Sequence, residues 1–137
     1  MSYFEDSGEV YHFIGGIFTE VLADPDLGPQ FKDVGVIMGL HFTDPKSHLV
    51  IDGVEGKVYT GDECDAGPKP NIEMYMTADV AHQYWLGKVN VPQALSKGQM
   101  RAKGPATTIL KLVPITQHVF PRYERMINES GREALKA

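Results

Sequence analysis

The chain reads as an α+β protein, a five-stranded mixed or mostly antiparallel sheet covered by helices. Apolar residues recur at helical spacing near both ends of its 137 residues and alternate with polar ones in short runs through the middle. Glycines and prolines separate these runs, so each reads as an element of its own.

In the first segment Val10, Phe13, Ile14, Ile17, Phe18, Val21 and Leu22 follow the i, i+3, i+4, i+7 spacing of a helix with one apolar face. Asp6 and Glu9 resemble a capping box with Asp in the place of Ser or Thr, which starts the helix near Ser7. Pro25 disfavours helical geometry in the residue before it and so ends the helix near Asp24. Each glycine of the mid-helix pair Gly15-Gly16 costs about 1 kcal/mol relative to alanine. The pair therefore points to close packing or to a bend.

From Val34 the period becomes two, with Val34, Val36, Met38, Leu40 and Phe42 on one face of a strand. Asp44 to Ser47 reads as a turn, and His48 to Asp52 with Lys57 to Thr60 as an antiparallel hairpin joined by Gly53 to Gly56. Gly61 to Pro70 is rich in breakers and reads as a loop, followed by a strand from Asn71 to Thr77. Thr77 can cap the next helix, which Gly87 ends; Pro92 lies near the start of a short helix that Gly98 ends. Gln99 to Lys103 gives a fifth strand with Met100 and Ala102 inward. A helix opening at Gly104-Pro105 is expected to break at Pro114, and a last helix from Ile115 to Ile127 to be kinked near Pro121.

Composition narrows the function classes. Hydrophobic residues are 42% and charged residues 23%, and no stretch approaches the ~18–20 apolar residues of a membrane span. A soluble protein without integral membrane association is expected. Net charge is −5 and the basic residues are scattered, which argues against nucleic acid. Lys97, Arg101, Lys103 and Lys111 form a modest basic group that reads as a solvated face. The first ten residues lack the basic start and apolar block of a secretory signal, and the single cysteine, Cys64, can form no intrachain disulfide. A cytoplasmic location is expected.

Chemistry-bearing motifs are sparse. The five histidines show no metal-ligand spacing, and Asp62, Glu63 and Asp65 lack the spacing of a calcium loop. Cys64 between those acids should have its pKa raised, contrary to what a nucleophile needs. Hydrolase-elbow, dinucleotide and P-loop signatures do not occur. An Asp79/His82 pair, three apart on one helix, reads equally well as acid/base chemistry or as helix-surface polarity. No cofactor, metal site or catalytic set is expected.

The run from Ala78 to Ala106 carries a helix, Gly87-Lys88, a turn from Asn90 to Pro92, the helical pair Ala94-Leu95, and a strand framed by Gly98 and Gly104. In this it resembles the sterol-carrier-protein-2 (SCP2) domain family. That resemblance implies one SCP2-like lipid-binding domain over residues 1–137, with an apolar tunnel between sheet and helices. It also implies non-enzymatic binding or transfer of an apolar lipid: sterol-like, fatty acyl or acyl-CoA.

From the strands the expected lining residues are Leu40 and the methionines Met38, Met74, Met76 and Met100, whose flexible thioethers suit a pocket that refits around variable ligands. From the helices they are Trp85, Leu86, Ile109, Leu112, Val119 and Phe120. Burying about sixteen methylenes is worth roughly 12 kcal/mol gross at ~0.8 kcal/mol each, far above the ~1 kcal/mol of one net hydrogen bond. Specificity should therefore be broad.

Pro105 stands where many relatives carry Asp, and Pro114 and Pro121 are expected to interrupt the terminal helices, so the closing wall is expected to depart from the family pattern. A filled core would favour another class of function: an accessory subunit that keeps the fold and docks a partner enzyme, or itself as a homodimer, through the C-terminal helices. A cone-shaped isomerase of the ketosteroid type is a third reading. The helical end of this chain fits it least.

Overall fold

A computed structural model describes residues 2–136. The first helical run comprises α1 (Ser7–Val10), a π-helical turn (Tyr11–Gly15) and α2 (Gly16–Ala23). Asp6 caps it as the sequence suggests, its carboxylate accepting from the Glu9 N–H at 2.9 Å. The glycine pair lies where the π turn passes into α2. A Cβ on Gly15 would meet Leu49 at 3.5 Å and Thr60 at 3.6 Å, so the backbone lies close against the sheet.

The structure adds α3 (Leu27–Val34), which the breakers in its sequence conceal. Pro29 falls in the first turn, where its missing N–H would have had no helical partner. The Asp24 carboxylate accepts from the N–H groups of Asp26 and Leu27, at 2.8 and 3.0 Å, and this starts the helix. Leu27 and Phe31, one turn apart, are buried, and Gly35 closes the helix at φ 72°, where a side chain would be strained. Val34 accordingly ends a helix rather than beginning a strand.

The sheet follows as β1 (Ile37–Thr43), β2 (Ser47–Asp52), β3 (Lys57–Thr60), β4 (Ile72–Thr77) and β5 (Arg101–Lys103), with spatial order β3-β2-β1-β4-β5. β1 runs parallel to β4, and the other neighbours are antiparallel. Register aligns Met38 with Ile51 and Ile72, and Leu40 with Leu49 and Met74, giving one apolar face. The opposite face carries a row of rings: His41 stacks on His48 at 4.4 Å and on Tyr75 at 4.6 Å, with Arg101 over Tyr75. Glu73 hydrogen-bonds the His41 Nε2 at 2.9 Å. A short 3₁₀ turn (Gly61–Ala66) begins the loop that buries Cys64 beside this face.

α4 (Ala78–Trp85) and α5 (Val91–Ser96) occupy the run that carries the family resemblance. Thr77 caps α4 by accepting from the Val80 N–H, and Asn90 caps α5 by accepting from Gln93.

Two expectations about the end of the chain are corrected. α6 (Ala106–Gln117) continues through Pro114. Pro114 and Leu110, whose carbonyl loses its helical partner there, are both exposed, so water can serve that carbonyl while buried Ile109, Leu112 and Ile115 hold the helix to the core. The break instead falls at His118 and Val119, where two i→i−3 bonds tighten the end of α6. Pro121 then sits in the first turn of α7 (Phe120–Glu129), a favoured position rather than a kink. A 3₁₀ turn (Glu133–Lys136) follows.

Candidate functional site

The apolar face of the sheet and the helices line a cavity of about 70 Å³. β1 contributes Met38, Leu40 and Phe42, β4 contributes Met74 and Met76, and Met100 enters just before β5. The opposite wall comes from Ala81, Tyr84 and Trp85 on α4, Val91 on α5, and Ile109, Leu112, Val113 and Thr116 on α6. Ile14, Phe18 and Phe31 close one side from the first helical run and α3.

The strand residues expected from the alternating pattern thus meet at one place, together with Trp85, Ile109 and Leu112. Three expected residues lie elsewhere. Val119 is fully buried at the break between α6 and α7, Leu86 follows the end of α4, and the half-buried Phe120 lies edge-on to Tyr84 and Trp85, behind the lining. The expectation ran one helix from Ile115 to Ile127; the break at His118 and Val119 turns these two side chains out of the wall.

Ile14, Phe18, Phe31, Tyr84 and Thr116 went unpredicted as lining, as did Phe42, Ala81, Val91 and Val113. The first two lay in the recognised apolar stripe, but only packing decides which part of that stripe meets the cavity. Phe31 belonged to the unrecognised helix. Thr116 is the one lining residue that is neither aliphatic, aromatic nor methionine, and its hydroxyl bonds that of Tyr84.

The volume sets a limit. An apolar cavity of about 150 Å³ holds benzene, and small-molecule pockets span roughly 300–1,000 Å³. At about 70 Å³ the space takes no long chain unless the walls move. The methionine side chains, with three rotatable bonds each, are the part of the wall best able to do so.

Beside the cavity lies a second polar group, wholly buried. His82, read from the sequence as possible surface polarity, is 0% exposed. Its Nε2 lies 2.7 Å from the Leu135 carbonyl and its Nδ1 2.7 Å from the Tyr123 hydroxyl. A carbonyl only accepts, so Nε2 carries the proton, Nδ1 accepts, and Tyr123 donates. Burial holds the His82 pKa below the usual histidine value and pushes the Tyr123 phenol upward. Asp79 acts on this imidazole only as a nearby charge that opposes the effect of burial, while its carboxylate accepts the Tyr3 N–H at 2.7 Å and ties down the N-terminal segment.

Burial also pushes the Cys64 thiol up, with Asp65 adding to the effect, and its Sγ faces the carbonyls of His48 and Tyr59. Among the described residues no three His, Cys, Asp or Glu side chains gather to hold a metal ion. No helix among them is long and apolar enough to cross a membrane.

No family model matches the chain, and no curated protein sequence matches it significantly. Solved structures do. The sterol carrier protein domain 2 of Helicoverpa armigera matches with a TM-score of 0.66 at 20% identity, over 89% of this chain and 96% of that one. The apo form of sterol carrier protein 2 from Yarrowia lipolytica matches at 0.64 and 19% identity, over 85% and 96% of the two chains. Sterol carrier protein 2 from Aedes aegypti, solved with the C16 fatty acid palmitate, matches at 0.56 and 18%, over 80% and 93%. The chain has the SCP2-like fold, α+β with a five-stranded mixed sheet.

Proposed function

We propose that this protein binds an elongated apolar lipid, without catalysis, between the methionine-bearing face of its sheet and helices α4 to α6. The observation that carries this reading is the cavity, where four methionines from the sheet side face an almost wholly apolar helical wall. The fold supports it, since a structure of the same fold is described as a complex with a C16 fatty acid. In this reading the space of about 70 Å³ is the closed form, and a ligand enters by displacing methionine side chains and α6. The ligand class is sterol-like, fatty acyl or acyl-CoA. A cytoplasmic setting belongs to the same reading, supported by the single cysteine, buried and unpaired.

Purified protein is extracted for co-purifying lipid and titrated with a fluorescent fatty-acid analogue and with a neutral apolar dye. Saturable binding of either probe, displaced by C16 lipids, is expected. A lipid-free protein that binds neither sinks the proposal.

The small volume favours a second reading, in which the core is filled and the protein acts as an accessory subunit docking a partner or its own copy through α6 and α7. Trp85 is only 2% exposed and takes no part in such docking. Sedimentation separates the readings: an assembly indifferent to lipid favours docking, and a monomer that binds lipid favours carriage.

A further inference from the structure

The two helical walls of the cavity are fastened differently. α4 is tied by polar bonds along its length: Asp79 accepts the Tyr3 N–H, Gln83 Nε2 donates to the Tyr3 hydroxyl at 3.2 Å, and His82 bonds Tyr123 and Leu135. The end of α6 is tied as well, through Thr116 to Tyr84. Between Thr107 and Val113, by contrast, no side chain makes a hydrogen bond or ion pair among the described residues. Apolar contact holds this segment, with Ile109 and Leu112 buried and Val113 half-buried.

Both ends of the segment are points where the backbone can turn. On one side Gly104 has φ 120°, which strains any side chain, and a Cβ on it would meet the Asn71 carbonyl at 3.2 Å, so the turn belongs to glycine. Pro105 then starts α6 with no side chain capping its first N–H groups. On the other side Pro114 offers no N–H to the Leu110 carbonyl, and prolines are where helices bend. The stretch between them carries Ile109, Leu112 and Val113 of the cavity wall on one face and exposed Thr107, Leu110 and Lys111 on the other. It can swing outward without parting any side-chain hydrogen bond outside its own helix.

We propose that Pro105 to Val113 is a lid on the cavity, pivoting between Gly104 and Pro114 while α4 stays in place. The proposal rests on the lipid-binding reading above and gives it a route of entry: the space of about 70 Å³ admits a long chain when this segment lifts. A change at the Pro114 pivot therefore alters how fast ligand enters and leaves. Affinity stays nearly constant, because the closed protein is stabilised alike with and without ligand.

The reporter is Leu112→Cys, on the inner face of the lid, labelled with a small neutral maleimide in urea below the unfolding transition. Cys64, buried and away from the cavity lining, is the internal control for labelling through unfolding. Labelling at the reporter should be nearly independent of urea, as a local swing requires. Adding Pro114→Ala supplies the N–H that Leu110 lacks and should slow it about fivefold, the worth of one net hydrogen bond. Pro121→Ala, in the first turn of α7, should leave it unchanged. In the chain without the cysteine substitution, Pro114→Ala should slow both entry and release of a neutral apolar dye about fivefold at constant affinity. Ile109→Cys replaces the reporter if Leu112→Cys does not fold. Three results each overturn the lid and leave lipid binding standing: labelling that rises with urea in step with Cys64, labelling that Pro114→Ala slows no more than Pro121→Ala does, or dye rates that Pro114→Ala leaves unchanged. A dye that does not bind overturns the lipid reading, and the labelling alone then decides the lid.

Discussion

Tyr123 and Tyr84 each place a phenol beside the same apolar core, yet their hydroxyls are used differently. Tyr123 donates to His82, whose other nitrogen donates to Leu135, so the imidazole's hydrogen-bonding capacity is filled by protein. Tyr84 is hydrogen-bonded to Thr116 in the wall of a cavity. The first group ties α4 to α7 and to the C-terminal turn. The second joins α4 to α6 across space that can be filled. The Tyr123 hydroxyl is closed into the core with both imidazole nitrogens partnered, whereas the Tyr84 hydroxyl lies on a residue beside space that side chains do not fill.

That contrast can be broken most forcefully at its centre. His82→Ala leaves the Tyr123 hydroxyl and the Leu135 carbonyl without partners and opens a hole in the core, so urea denaturation should show a loss of about 3–5 kcal/mol. Tyr123→Phe removes one donor and strands His82 Nδ1, for about 1–3 kcal/mol by the same measurement, with apolar-dye affinity unchanged.

Acid should act on the same group. Because the folded His82 pKa lies below the unfolded value, the unfolded chain binds the extra proton. Stability is therefore complete above about pH 6.5 and declines as pH falls below it. His48 is also lowered, by burial and by the neighbouring His41, so the comparison of melts at pH 7.5 and 5.0 includes His48→Gln as control. Asp24, held down to about 2 by its bonds to Leu27 and Arg122, stays ionised across this window. A decline that persists in His48→Gln assigns the effect to His82; a flat profile there refutes it. The smallest effect belongs to Tyr84→Phe, about 0.5–1.5 kcal/mol, since Thr116 keeps its bond to Val113. A loss as large as that of Tyr123→Phe would erase the distinction between the two tyrosines.

The sequence revealed the sheet better than the helices. Alternation through Met38, Leu40 and Phe42 is a local property of a half-buried strand, and it also identified the sheet's share of the cavity. Thr77, Gly87 and Gly98 likewise act on their own neighbourhoods. Prolines misled because their effect depends on position: Pro29 and Pro121 fall in first turns, and Pro114 lies on an exposed surface where water replaces the lost bond. Misplacing the break after α6 carried Val119 and Phe120 into the expected wall. The burial of His82 had no local signature at all. Its partners lie 41 and 53 residues away, and only the folded chain brings them to it.

The void between sheet and helices also makes volume a thermodynamic handle. Space of this kind, lost on unfolding, adds to the volume by which a folded protein shrinks when it unfolds under pressure. An empty cavity thus gives compression something to gain. A ligand that fills it removes that gain, so an occupied protein should withstand higher hydrostatic pressure than an empty one by more than its binding free energy alone accounts for.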